Sequence, residues 1–403
     1  MAEYLYLYAS ILAITLRGVW EVKYFKGRIS PLLIYSICYF YFCYGPYIAF
    51  LLDIPIYSGI NKAMLPQSAF VFFLAILTLS AVPSNLMSRI TSNVEIVIKR
   101  PQFFRQITIL TMTIPVIVIF IYAFLLIGFN PLDKVEKIRL VGIFHYVLLT
   151  LWPIFLFCYM TISPYGQITK QSKLFIASII LIYCFYCLYM GERDFALIFV
   201  PIYFWLHKDK RVSMFKLCLM LSLGAIGFTL MSSGRSVEID SSGIGAFLNQ
   251  GSNLMVTSNI LFWLEHDLQL WWGESYLSSL LNMLTLGALK ITLPLSIWFS
   301  REYSPFVNDG AYGFSLEAEV LLNFGVIGIP IVFAIIGILI SAAFKGYRND
   351  KPFGTLMTYF ILFYFIYAIR GESLIIFKSF SYCCIIFFFL LYVSQRGKFY
   401  FKK

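Results

Sequence analysis

The sequence predicts an all-α polytopic membrane protein of about 11 transmembrane helices, with one long external loop that contains amphipathic or re-entrant helices. Three observations predict it. Of the 403 residues 60% are hydrophobic and only 13% are charged, a balance that excludes a water-soluble globule. Apolar runs close to the ~20 residues that a helix needs to cross a bilayer recur along the chain. The Lys and Arg behind the net charge of +11 gather in short loops between these runs. They form no stripe or patch of the kind that binds nucleic acid, so the charge reports topology and no nucleic-acid partner is expected.

The first run, 2–16, is short. It opens MAEYLYLYAS, with an acid and no positive segment, which argues against a cleaved signal peptide. Arg17, Lys23, Lys26 and Arg28 follow it, so the first helix should begin outside and end inside. The other runs lie near 31–52, 68–87, 106–128, 140–162, 174–190, 194–206, 217–232, 317–344, 353–369 and 373–393, of which 194–206 is again short. Alternating all eleven from an outside N-terminus places 21 Lys and Arg in inside loops and 9 in outside loops, with Lys378 within a helix and the C-terminus inside. Were 276–300 also to cross, the later loops would change sides, with seven basic residues outside against two inside. It is therefore expected not to cross, and Gly287, Lys290 and Pro294 favour a re-entrant or surface-lying segment.

This reading divides the chain into helices 1–8 over 1–232, an external loop region over 233–316, and three more helices with a basic cytoplasmic tail over 317–403. The loop, 84 residues long, is the one long connection, and long loops on rigid scaffolds tend to carry function. Within it Leu254, Ser258, Leu261, Leu264 or Glu265, Leu268 and Trp271 or Trp272 follow helical spacing, and Trp263, Trp271, Trp272 and Trp298 are anchors of the interfacial type. An amphipathic helix on the outer membrane boundary is expected, either as a cap over the bundle or in contact with substrate. All eight cysteines fall in apolar runs, as small buried hydrophobes do. The CxxC spacing of Cys184 and Cys187 has no redox or zinc context, and neither metal nor cofactor is expected.

The outer side is poor in charge, which makes its charges informative. Glu192, Arg193 and Asp194 occupy one turn, and Arg370 and Glu372 another. Arg235 follows the eighth run, and Arg301 and the group Glu317, Glu319 and Asn323 lie near the end of the loop. A guanidinium fork holds phosphate oxygens bidentately, so a pyrophosphate at the membrane surface matches these arginines. Alternatively, Arg193 and Arg370 pair with the acids beside them to close tight turns. Glu319 and Asn323, four apart, share one helix face with Ser315, and Glu317 points elsewhere. The group either caps and solvates a helix entrance or supplies a general base and acceptors for sugar hydroxyls. Lys378 either snorkels outward or lines the same cavity. His145 reads as a satisfied core histidine, and His266, between two acids on the expected surface helix, is an external catalytic candidate.

With these residues the chain resembles the O-antigen polymerase (Wzy) family of bacterial inner-membrane proteins. The resemblance rests on the helix number, on the long loop near two thirds of the chain, and on a stretch of the type GYGFSL-AE-xxNFG-xG. Here it reads Ala311-Tyr312-Gly313-Phe314-Ser315-Leu316-Glu317-Ala318-Glu319, then Asn323-Phe324-Gly325 and Gly328. Outward arginines after helices, here Arg193, Arg235 and Arg370, also resemble the family. Some members carry an arginine followed by a glycine after ten residues. That pattern is absent in strict form, because Gly243 and Gly245 follow Arg235 after seven and nine.

The resemblance implies a multi-pass inner-membrane protein with a periplasmic N-terminus, acting as a metal-independent glycosyltransferase on undecaprenyl-pyrophosphate-linked oligosaccharides. Membrane lipid and a chain-length regulator protein are its implied partners. A growing chain would leave its lipid pyrophosphate and join the sugar of a new lipid-linked unit. Arg193, Arg235 and Arg370 would hold the pyrophosphate, helped by Arg301 and Lys378. Glu319 leads the candidates for proton acceptor, with Glu192 and His266 behind it, and Glu317 and Asn323 would contact substrate. An O-antigen ligase, transferring to lipid A core, would need the same donor site. A lipid-linked oligosaccharide transporter would bind the same lipid, but such folds tend to show repeats and midplane polar groups, and no repeat is visible here.

Overall fold

The computed structural model describes residues 2–26, 28–54, 59–83, 95–96, 100–130, 132, 134–192, 194–208, 243–248, 252–285, 288–289, 291–303, 313–394 and 401–402. They are helical throughout, apart from turns and one antiparallel pairing of two-residue strands, Glu95–Ile96 with Phe401–Lys402. Among the described residues eight helices are long and apolar enough to cross a membrane: Tyr4–Tyr24, Pro31–Leu51, Lys62–Ala81, Pro101–Ile127, Ile143–Ile162, Lys170–Tyr189, Leu316–Arg348 and Ser373–Ser394. This is a membrane-embedded helical protein. Two further expected spans, 194–206 and 353–369, are shorter apolar helices at Asp194–Leu206 and Pro352–Ala368. The expected span 217–232 lies outside the described residues.

Two compact units interleave along the chain. One comprises residues 1–90, 210–342 and 364–378, the other 91–209, 343–363 and 379–403.

In the first unit, helix α1 (Ala2–Tyr24) runs past the expected end of its apolar run. The reason is that Arg17 and Glu21 neutralise each other one turn apart: Arg17 Nε donates to Glu21 Oε1 at 2.8 Å, and both are buried. Arg17 Nη1 also donates to the carbonyls of Ser80 and Val82 at 3.1 and 2.6 Å. It thereby satisfies the C-terminal carbonyls of helix α3 (Leu65–Ala81). Glu21 accepts from Ser30 Oγ at 2.7 Å, and Ser30 in turn caps helix α2 (Pro31–Leu51), which has proline at its first position. One buried ion pair thus ties three helix ends together.

The loop region does not form the expected surface helix over 254–272. Helix α10 (Asn253–His266) buries every residue from Asn253 to Leu261, among helices α2 and α3. It ends at His266, and the chain then runs without helix to Trp271, so Leu268, Trp271 and Trp272 are not on it. Residues 276–300 do not form one helix either. They contribute to α11 (Glu274–Leu284) and α12 (Leu295–Tyr303), and the described residues between these two are non-helical.

In the second unit, α4 (Pro101–Ile127) packs on α6 (Ile143–Ile162), and α6 packs on α14 (Pro352–Phe360). Trp152 stacks on Tyr183 of α7 (Lys170–Tyr189) at 3.8 Å. Gly346 and Gly354 let two helices touch, since a Cβ on Gly346 would lie 2.7 Å from the Gly354 Cα. A short helix the sequence reading lacked, α5 (Lys134–Val141), precedes α6, from which Gly142 at φ +62° separates it.

Candidate functional site

In the first unit the stretch 313–325 organises a buried polar network. Ser315 caps helix α13 (Leu316–Arg348) by accepting from the Ala318 N–H at 3.3 Å. The i, i+4 spacing then puts Glu319 and Asn323 on one face. Glu319 Oε1 accepts from Ser275 Oγ at 2.8 Å and Ser373 Oγ at 2.7 Å, and its Oε2 accepts from the Ser373 N–H at 2.6 Å. Asn323 Nδ2 donates to Ser275 Oγ at 2.7 Å, and Asn323 Oδ1 accepts from the Gly273 N–H at 3.1 Å. Glu317 faces the other way, and its Oε1 accepts from Asn253 Nδ2 and Thr257 Oγ1, each at 3.2 Å.

Glycine explains the second half of the motif. Gly325 holds φ +63° and ψ −164°, inside α13, a conformation essentially reserved for glycine. The break leaves the carbonyls of Leu322 and Asn323 to accept from the backbone N–H groups of Trp271 and Trp272, at 3.0 and 3.1 Å. The Asn-Phe-Gly sequence is therefore the docking point for the chain that leads into α11.

Glu317, Glu319 and Asn323, which the sequence reads as solvating a helix entrance or as a base and substrate contacts, are all 0% exposed. For Glu319 and Asn323 the burial has a physical cause in α11. Its Ser275, Ser278, Ser279 and Asn282, at i, i+3, i+4 and i+7, are all buried, whereas Leu277, Leu280 and Leu284 are exposed. The helix is amphipathic with its polar face inward, and its Ser275 hydroxyl, with that of Ser373, takes the place of water around Glu319.

Open space lies beside this face. A small cleft is lined by Ser275, Ser278, Ser279 and Asn282 of α11, by Thr292 to Leu295, and by Glu372 and Leu374. It has room for a water or one hydroxyl group. Glu372, 8% exposed, has one oxygen accepting from the Leu295 N–H. Burial pushes its carboxyl up to about 7, the nearby Glu319 carboxylate pushes the same way, and the Leu295 N–H acts against both. The sequence reading treated Glu372 only as a turn partner of Arg370. The signal for it was the polar i, i+3, i+4, i+7 row of α11, which implies a polar partner.

The other expected residues are more scattered. The Arg370 guanidinium lies 5.4 Å from the Phe42 ring centroid. Arg301, in the last turn of α12, is exposed, as are Lys378 on helix α16 (Ser373–Ser394) and His266. His266 Nδ1 lies 2.8 Å from the Phe262 carbonyl oxygen of its own helix. Arg193 and Arg235 lie outside the described residues.

Glu192 belongs to the second unit. Its Oε2 accepts from Lys134 Nζ at 2.8 Å and its Oε1 lies 3.2 Å from His145 Nε2, with His145 Nδ1 2.9 Å from the Tyr186 hydroxyl. Burial works against the Glu192 carboxylate, but the hydrogen bond from His145 and the charge and hydrogen bond of Lys134 outweigh it and hold the group at about 2. Such an acid stays ionised and poorly suited to accept a proton, so Glu192 acts as an anchor between helices.

Among the described residues the seven cysteines are free thiols, and no three His, Cys, Asp or Glu are grouped to hold a metal ion. No family model, curated protein or solved structure matches this chain.

Proposed function

We propose that this protein is a polymerase of lipid-linked oligosaccharide repeat units. It works at the periplasmic face of the bacterial inner membrane and resembles the O-antigen polymerase family in its 311–328 stretch. The observation that carries the reading is the acidic, hydroxyl-rich network built by that stretch, with a carboxylate at a small cleft beside it. Intramembrane carboxylates are costly and mark function by default.

In the proposed reaction the donor is a chain held on undecaprenyl pyrophosphate, and the acceptor is a hydroxyl of a new lipid-linked unit. The acceptor oxygen bonds to the donor's anomeric carbon, the bond from that carbon to the phosphate oxygen breaks, and the pyrophosphate leaves with the electron pair. Arginines preorganised at the pyrophosphate stabilise the negative charge that develops, the role proposed for Arg193, Arg235 and Arg370. A carboxylate takes the acceptor's proton.

The test is to delete the chain from the cells that make it and resolve the surface polysaccharide by length. Loss of long chains, with single repeat units still attached to their final acceptor, is expected. Loss of the single units as well contradicts the polymerase reading and favours a ligase or a transporter.

A further inference from the structure

Resting on the polymerase reading, we propose that the cleft between α11 and Glu372 is the acceptor subsite, which takes one sugar hydroxyl and gives its proton to the Glu372 carboxylate. Glu319, buried behind it, is a positioning residue.

The chemistry of the walls selects this ligand. Serine and threonine hydroxyls and an asparagine amide line the cleft together with one acid, and these groups both donate and accept, as a sugar hydroxyl requires. The space fits a single hydroxyl, so a sugar reaches in by one substituent and its ring stays outside. The cleft is built, because Ser275, Ser278, Ser279, Asn282 and Glu372 are all more than nine-tenths buried. Ser278 Oγ accepts from the Thr292 N–H at 3.2 Å, Ser279 Oγ lies 3.5 Å from Ser373 Oγ, and Leu295 N–H fixes one oxygen of Glu372.

The two carboxylates divide the work. Glu319 is 0% exposed and accepts three hydrogen bonds from Ser275 and Ser373, so no substrate atom reaches it. It fixes Ser373, the residue next to Glu372, and its charge makes Glu372 a stronger base. Among the described residues the remaining charges around Glu372 are few. Arg370 lies on the same turn, with its guanidinium over Phe42, and Glu274 on α11 and Arg301 on α12 are both exposed. A carboxyl near 7 suits proton transfer at neutral pH.

The experiment uses the full-length protein in proteoliposomes, with lipid-linked repeat units extracted from cells that lack it. The wild-type elongation rate is expected to rise with pH through about 7. Glu372→Gln is expected to lower it by about a hundred- to ten-thousandfold and to abolish the rise, while Glu372→Asp keeps part of the rate and the rise. A folded Glu372→Gln that elongates within a few fold of wild type overturns the subsite while the polymerase reading stands. If that variant does not fold, a wild-type rate that is flat from pH 6 to 8 overturns the subsite equally. Failure of the wild type to elongate at all overturns the polymerase reading and the subsite with it.

Discussion

Glu319 and Glu192 are both buried acids, and they differ in what surrounds them. Glu319 is held by hydroxyls and one backbone N–H. Glutamine at 319 keeps an acceptor for the Ser373 N–H and turns its amide to two hydroxyls that can accept. Alanine takes the acceptor away from the Ser373 N–H and from both hydroxyls, at about 1–3 kcal/mol for each donor left unsatisfied. Thermal unfolding in detergent is therefore expected to place Glu319→Ala well below Glu319→Gln. Glu192 is held by the Lys134 ammonium and by a hydrogen bond with His145. Its folded carboxyl lies near 2, below the usual 4.5, so its contribution is complete above pH 4.5 and is lost as pH falls from there towards 2. Glu192→Gln is expected to melt earlier than wild type at pH 7, with the gap closing below pH 4.5. A gap as wide at pH 3 as at pH 7 would contradict the ion-pair account. Sequence placed Glu192, Glu317 and Glu319 among the informative charges, but it could not see that His145 satisfies the first. That pairing joins residues 47 apart, beyond any periodicity.

Among the elements, the motif helix was the most legible and the loop helices the least. The spacing of Glu319 and Asn323 set their common face, and Gly325 sits where the helix breaks. Gly325→Ala forces a side chain into a glycine-only conformation, worth about 1–3 kcal/mol of strain. It is expected to loosen the Trp271 and Trp272 hydrogen bonds, read as faster proteolysis of residues 267–273; an unchanged cleavage rate would show that the kink does not hold that chain. The surface-helix expectation failed because leucine and tryptophan spacing was taken as the apolar face of a helix on the membrane boundary, whereas every residue from Asn253 to Leu261 is buried. For a helix inside a membrane protein the polar face can be the buried one, as Ser275, Ser278, Ser279 and Asn282 are. The first helix was read as short, ending at 16, for a related reason: apolar runs stop at the first charge, whereas Arg17 and Glu21 are buried together and the helix continues.

At the level of the molecule, composition and run length made the helical membrane class legible, because lipid leaves the backbone little choice but helices. Eight long apolar helices agree with that class. The finer division was less legible, since 194–206 and 353–369 sit at the edge of spanning length and are short helices, the second passing through a π-helical turn at Ile361–Phe365. Function depends on what the buried acids do together, and that is tested most directly by one reaction. Purified protein in proteoliposomes is given lipid-linked repeat units alone, and products are resolved by length while freed lipid pyrophosphate is assayed. The account predicts a ladder of chain lengths with one carrier released for each unit joined. Units that stay single and keep their carrier, or that react only when lipid A core is added, would contradict it.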